Sequence, residues 1–250
     1  MVYKKGPRFR IRPVSEIKED MVEARAVHGS HARTMFLPAG NTIAMKTKDL
    51  AEVCCFARST FPSLERITVY GSSQFIHKKG LKQLEHLAQA GLTRIHVGLE
   101  SGDDTVLKRI RKGTSAQQQT EAGQWTVSAG IELSVYVVLG IGGQEKTHEH
   151  ALETARVINE IQPDFVRLRT FVPKINTPLL DDVMEGRFKM LSPHEVLKET
   201  ATILERLTVS TVLTSDHYNN YINLHGHLPE DKSRLLKEIS QALNVAQSLS

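Results

Sequence analysis

Between Arg33 and Val172 the chain alternates five short apolar runs with stretches of helical spacing in the four gaps between them, each run ending in a polar or glycine-bearing turn. The apolar runs are 33–37, 64–70, 94–99, 131–139 and 165–172. The helical stretches between them open at Thr47, Leu81, Thr105 with Ser115, and His148, and they end before Pro62, at Gly91, at Gly130 and before Pro163. Strand and helix in strict alternation, joined by short connections, specify a parallel sheet with helical crossovers, either doubly wound or closed toward a barrel. Ile131 to Leu139 is almost wholly apolar, as a strand covered on both faces must be.

The flanks extend this pattern. Pro13 to Gly29 reads as a helix opened by Pro13 and capped by Ser15, with Val14, Ile17, Met21, Ala24 and Val27 along one face. No strand precedes it, so the fold begins halfway through a unit. After Val172 the texture changes. Residues 173–188 read as a loop with one short helical piece. Ser192-Pro193-His194-Glu195 has capping-box spacing with proline at the first helical position, and opens a helix to about Leu207. Val209 to Leu213 reads as a last strand and Asp231 to Leu243 as a closing helix. The expected organisation is a β/α core over 1–172 and an extension over 173–250 packed on the same domain.

Composition narrows the class. With 40% hydrophobic and 24% charged residues the chain is an ordinary globular protein. No apolar run approaches the roughly 20 residues of a membrane span, and the start is no signal peptide. A cytoplasmic location without a membrane is expected. The net charge is +4, but Lys4, Lys5, Arg8, Arg10 and Arg12 all precede the first acid, Glu16. The rest is close to neutral, so no nucleic-acid partner is expected from charge. The two cysteines, Cys54 and Cys55, are adjacent. They are no disulfide framework, they are too few for an iron–sulfur cluster, and they read as small buried apolar residues.

In such folds the chemistry sits at the carboxyl ends of the strands. Those ends carry Ala39-Gly40-Asn41, Gly71-Ser72-Ser73-Gln74, Glu100-Ser101-Gly102, Gly140 to Glu145, and Arg167 with Arg169. Glycines there let a ligand approach the backbone, although turn chemistry alone also asks for them. Glu100 is the sharpest position, an acid one residue beyond Ile95, Val97 and Leu99. It suits hydroxyl or ammonium groups of a ligand, or a structural pair with Arg94, Arg109 or Arg111. Gly140-Ile141-Gly142-Gly143 is not the dinucleotide fingerprint. The pairs His148 with His150 and His225 with His227 match no standard zinc spacing. No nucleophile elbow or P-loop occurs.

The run Val-Gly-Leu-Glu-Ser-Gly-Asp-Asp-Thr-Val-Leu-Lys-Arg-Ile-Arg-Lys-Gly, residues 97–113, resembles the fourth strand and helix of radical S-adenosylmethionine (SAM) enzymes. The branch it resembles contains oxygen-independent coproporphyrinogen oxidase. The order of elements extends the likeness over about Pro13 to Val172, and residues 216–232 are similar to the tail of one subgroup. The resemblance implies an α/β fold, a partial (β/α)6 TIM-like barrel with parallel strands, its first strand missing, and a C-terminal helical extension. It implies S-adenosylmethionine and a [4Fe–4S] cluster held by a Cys-x3-Cys-x2-Cys loop. It also implies reductive cleavage to a 5′-deoxyadenosyl radical, a small-molecule substrate, and an electron donor such as flavodoxin or ferredoxin.

Carried onto this chain, the family's Gly-Gly-Glu turn falls on Ala39-Gly40-Asn41, with only the middle glycine kept. The polar end of strand four falls on Glu100, with Ser101 beside it. The adenine-side Gly-x-Ile-x-Gly-x-x-Glu pattern keeps only Gly142 and Glu145, with Val138 and Gly140 at its first two positions. Gly140 belongs to the same turn, and Arg111, Arg167 and Arg169 are placed to balance a carboxylate. The implied cofactor contacts are therefore Gly40, Asn41, Glu100, Ser101, Arg111, Gly140, Gly142, Glu145 and Arg169. The cysteine loop would lie where residues 1–12 stand. The expectation is an oxidoreductase core that cannot ligate the cluster as it stands. A truncation is the first reading, with the ligands upstream of Met1, and a cluster-less descendant is the second. An ordinary barrel enzyme using Glu100 as acid or base on an acidic or phosphorylated metabolite, or a non-catalytic binding protein, are the alternatives.

Overall fold

A computed structural model describes residues 10–38 and 40–248. Lys4, Lys5 and Arg8 of the basic start, and Ala39, lie outside the described residues.

The chain begins with α1 (Val14–His28), then β1 (Thr34–Leu37), a 3-10 turn (Thr42–Ala44), α2 (Thr47–Thr60), β2 (Arg66–Gly71), α3 (Ser73–Lys79), α4 (Leu81–Gln89) and β3 (Arg94–Glu100). It continues with α5 (Asp104–Arg109), α6 (Ala116–Ser128), β4 (Glu132–Leu139), α7 (Gly143–Ile161) and β5 (Phe165–Thr170). The last elements are α8 (Pro178–Met184), α9 (Pro193–Arg206), β6 (Thr211–Thr214), β7 (His225–Leu228) and α10 (Lys232–Ser248). The strands are hydrogen-bonded in the order β1 to β7. All five sequence-predicted strands of the repeat are present, and the alternation carries the α/β barrel-like fold that was expected.

The described residues form two compact units, one of 10–97 with 121–134, the other of 98–120 with 135–248. Residues 173–248 fall in the same unit as 135–172, so neither unit ends at 172.

In the first unit β1, β2 and β3 pair in parallel, Thr34 opposite Arg66 and Thr68 opposite Arg94. Phe36, Tyr70 and His96 stand in a row across these strands, with ring centroids 4.9 to 6.0 Å apart. β1 is the end strand of the order, and Phe36 is 43% exposed on it. Leu50, Val53, Cys54 and Ala57 make the buried stripe of α2, at the helical spacing the sequence shows. Burial pushes the Cys54 thiol up to about 12, so it packs as an apolar residue. Cys55 differs from expectation: it is exposed, because neighbours on a helix point about 100° apart. Ser15 does not cap α1. Pro13 takes that position with no side-chain bond, and the nearby charge is handled by Arg12, which binds Glu16 and Asp20 at 3.2 and 2.5 Å.

In the second unit β5 and β6 are parallel and β6 and β7 antiparallel. Val135, Val137 and Leu139 of β4, Val166 and Leu168 of β5 and Leu213 of β6 are buried, as are Ala151, Ala155 and Ile158 of α7. Burying one such aliphatic side chain contributes roughly 1.5–3 kcal/mol. α9 packs against both α7 and α10. Its capping box is formed as the sequence predicted: Ser192 Oγ accepts from Glu195 N, and Glu195 accepts from Ser192 N at 2.7 Å. Two elements escaped the sequence reading, α3 and β7. α7 also starts at Gly143, five residues earlier than expected, because Gly142 and Gly143 are already its first turn.

Ser192→Ala removes one acceptor of the capping box. It is expected to lower the unfolding free energy by about 0.5–2 kcal/mol, measured by urea denaturation.

A candidate cofactor cleft at the ends of three strands

The second unit holds a cavity of about 120 Å³ lined by Glu100, Arg109, Ile110, Arg111, Val138, Ile141, Thr177, Pro178 and Leu179. Its apolar floor belongs to a small core of Val106, Ile141, Phe171, Leu179 and Phe188, with Ile110, Val138 and Val183 packed against it. These residues sit just beyond or at the ends of β3, β4 and β5. Apolar cavities near 150 Å³ take a benzene-sized ring. This one is of that order, with Glu100, Arg109 and Arg111 as the charged groups of its lining.

Glu100 sets the polar edge. Its backbone is left-handed, with φ of 64°, which costs energy for a non-glycine residue and persists only where surroundings impose it. The imposing contacts follow directly in sequence. Ser101 is completely buried. Its Oγ accepts from Asp103 N at 3.0 Å and lies 2.8 Å from His150 Nδ1, and its carbonyl accepts from Gln119. Gly102 N donates to Thr154 Oγ1 at 2.9 Å, and a Cβ on Gly102 would run into the Glu153 carbonyl of α7. Asp103 then caps α5 by accepting from Val106 N at 2.8 Å. With the turn pinned inward at 101 and 102, the Glu100 carboxylate swings back over Gly98, where a side chain would collide with it. Lys112 closes on it at 3.0 Å. The partner of Glu100 is thus Lys112. Arg94 pairs with Glu132, and Arg109 reaches Glu145 at 3.6 Å while its guanidinium lies over the Phe188 ring.

The turn after β4 is the other wall. Gly140 has φ of 78° and gives its N–H to Glu199 Oε1 at 2.6 Å. Gly142 sits where a Cβ would press on the Lys146 carbonyl. Glu145 is an exposed rim residue. Arg111, at φ of 53°, lines the cavity. Arg169 lies over the Tyr136 ring at 5.3 Å.

Of the residues the sequence singled out, Glu100 and Arg111 line this cavity themselves; Gly140 and Gly142 belong to the turn carrying Ile141, and Glu145 to the first turn of α7. Ser101 does not line it, since its hydroxyl is turned into the core. Gly40 and Asn41 belong to the first unit. There Asn41 accepts from Ser72 N at 3.1 Å and donates to Ser72 Oγ at 3.3 Å, while Gly40 is exposed with open space around it. The sequence reading gave no role to Glu199, Lys112 or Leu179, and named His150 only as half of a pair with His148. Helical spacing held a signal for two of them: Glu199 shares a stripe with Val196, Thr200 and Ile203, and His150 one with Ala151, Thr154 and Val157. His148 is exposed and His150 buried, so they do not form a metal pair. Among the described residues no group of three His, Cys, Asp or Glu side chains is placed to hold a metal ion.

The architecture is that of a β/α protein with a cavity beyond the carboxyl ends of its strands. The chain belongs to the radical SAM superfamily, whose family model matches residues 1–158. It is 25% identical over 210 residues to a tRNA-2-methylthio-N(6)-dimethylallyladenosine synthase of Dehalococcoides mccartyi, covering 79% of this chain and 49% of that protein. The chain spans about half the length of the curated relatives it matches. Similar solved structures include the archaeal Elp3 of Methanocaldococcus infernus, with TM-score 0.60 and 14% identity over 94% of this chain and 59% of that one. Coproporphyrinogen III oxidase from Escherichia coli aligns with TM-score 0.58 and 16% identity, over 82% of this chain and 49% of that one. The latter is the branch that residues 97–113 resemble. The expected exclusion of nucleic acid does not stand as a general one, because a curated relative is named for a tRNA nucleoside. Among the described residues no helix is long and apolar enough to cross a membrane.

The family's cofactors are S-adenosylmethionine and a [4Fe–4S] cluster. The two cysteines of this chain do not fit the cluster. Cys54 is buried in α2 with its thiol held protonated, Cys55 points elsewhere, and the 250 residues hold no third thiol. The cavity offers apolar walls and a carboxylate at its edge.

Gly102→Ala sets a methyl group against the α7 backbone. It is expected to destabilise by about 1–3 kcal/mol in urea unfolding.

Proposed function

We propose that this chain provides the nucleoside-binding side of a radical SAM enzyme's cofactor site. The observation that carries the reading is the cavity of the second unit, where Val138, Ile141 and Leu179 make apolar walls and Glu100 stands at the mouth. In this reading the walls sandwich the adenine, and Glu100 accepts hydrogen bonds from the ribose hydroxyls or the cofactor's ammonium. Lys112, 3.0 Å away, keeps that carboxylate aimed. Gly140 and Gly142 let the backbone approach the ring, as small residues at a ligand must. Arg111 and Arg169 balance the carboxylate of the methionine part, and Glu145 holds Arg109 at the rim. Ser101 acts from inside by fixing the turn. Gly40 and Asn41 stand where the family's Gly-Gly-Glu turn falls and are given no contact in this cavity.

When bound together, the family's cluster and cofactor supply a 5′-deoxyadenosyl radical. No step of that cleavage is assigned to residues of this chain, because the thiolates it requires are not among them. A small-molecule substrate and a flavodoxin- or ferredoxin-like electron donor accompany the reading, and the tRNA-modifying relatives add a tRNA nucleoside as a substrate class to test. The reading with Glu100 as acid or base is disfavoured by its engagement with Lys112, which suits a fixed acceptor.

Isothermal titration calorimetry with S-adenosylmethionine tests the reading. Saturable binding is expected, weakened about tenfold in Glu100→Gln, the difference between a charged and a neutral acceptor. After anaerobic treatment with iron and sulfide, the 250-residue chain is expected to form no 5′-deoxyadenosine under reduction. Its formation would show that the cysteine argument is wrong.

A further inference from the structure

In the same unit, outside the cavity lining, lies a buried polar group. Glu199 and His150 are both fully buried, and their side chains face each other with His150 Nε2 3.6 Å from Glu199 Oε1. Oε1 also accepts from Gly140 N at 2.6 Å, and Oε2 is 2.5 Å from Thr147 Oγ1. On the far side, His150 Nδ1 lies 2.8 Å from Ser101 Oγ and 3.3 Å from Thr154 Oγ1. Nε2 has no hydrogen-bond partner. Glu199 comes from α9, Thr147 and His150 from α7, and Gly140 from the turn after β4. Among the described residues of these three elements, the ionisable group recorded against Glu199 is His150.

The hydrogen bonds assign the protons. Ser101 Oγ already accepts from Asp103 N, and Thr154 Oγ1 from Gly102 N. Each hydroxyl therefore has its own hydrogen to give, and Nδ1 is the acceptor that Ser101 faces. This assigns the ring hydrogen to Nε2, on the Glu199 side but 3.6 Å from Oε1 and so without a hydrogen bond. A neutral imidazole offers no charge to balance a buried carboxylate, and an unbalanced buried charge is costly. A neutral carboxyl removes the cost, while Oε1 still accepts from Gly140 N and Oε2 from Thr147 Oγ1.

We propose that Glu199 and His150 are positioning residues, a buried pair held neutral, that lock the turn after β4 to the turn after β3 and so fix the two walls of the cleft. The inference rests on the cleft being the cofactor site, but its structural half stands apart from any ligand. Burial moves the two groups in opposite directions, Glu199 up to about 7 and His150 down to about 4. The raised Glu199 contributes stability that is full below its ordinary 4.5 and is lost as pH rises through about 7. The lowered His150 contributes stability that is full above its ordinary 6.5 and is lost as pH falls through about 4. Between pH 4.5 and 6.5 the two slopes oppose and cancel.

Thermal unfolding from pH 4 to 8 of the full chain, Glu199→Gln and His150→Gln tests the pair. Relative to wild type, Glu199→Gln is expected to gain stability as pH rises from 4 to 8, through loss of the Glu199 term, and His150→Gln to lose it between 4.5 and 6.5. Parallel profiles for all three would overturn the pair. An NMR titration of the His150 ring in wild type covers the case where a variant does not fold. A ring that stays neutral at pH 5.5 supports the pair, and one that titrates near 6.5 overturns it. S-adenosylmethionine titration then separates the pair from the cofactor reading. Glu199→Gln is expected to hold wild-type affinity at pH 6, and Glu199→Leu, which leaves Gly140 N without its acceptor, to bind about tenfold more weakly. Equal binding by Glu199→Leu overturns the positioning role. Failure of wild type to bind overturns the cofactor reading, while the pH profiles still decide the pair.

Discussion

The site depends on the close approach of the turn after β3 to helix α7. Gly102 lies against the α7 backbone at Glu153 and gives its N–H to Thr154, and Ser101 is drawn into the core by His150. Two consecutive residues pinned inward leave Glu100 only a left-handed backbone. From there its carboxylate folds over Gly98 to Lys112 at the edge of the cavity. The strain at Glu100 is thus supported by buried contacts next to it, and the result is an acid presented in one orientation.

The same helix serves the other wall. α7 opens at Gly143 directly after the turn of Gly140 to Gly142, and α9 packs on α7 so that Glu199 reaches the Gly140 N–H. Both walls are therefore referred to one rigid element. A ligand held between Glu100 and Ile141 would sense any shift of α7 against α9.

The repeat of strand, turn and helix was plain in the sequence because apolar period and glycine stops agree along it. The capping box at Ser192 was equally plain, since its chemistry is local. β7 was not: His225 to Leu228 has two exposed histidines and a glycine, and is a strand only because β6 offers it an antiparallel edge. Glu100 was legible as a strand-end acid. Its partner was not, because Lys112 is brought back by the turn at α5 and nothing in the spacing favours it over Arg109 or Arg111. Ser101 was read as a ligand contact from its neighbour's position, but alternation along β3 and the pull of His150 send it the other way. His150 and Glu199 were hidden because a polar residue on an apolar helix stripe reads as an interruption until its partner on another helix is known.

The central claim is that the cavity between Glu100, Ile141 and Leu179 receives the nucleoside of S-adenosylmethionine. A crystal structure of the chain grown with that cofactor tests it most directly. The account predicts adenine between Ile141 and Leu179, with the ribose or ammonium at the Glu100 carboxylate. A cofactor bound elsewhere, or a cleft left empty while the cofactor saturates the protein in solution, would contradict it.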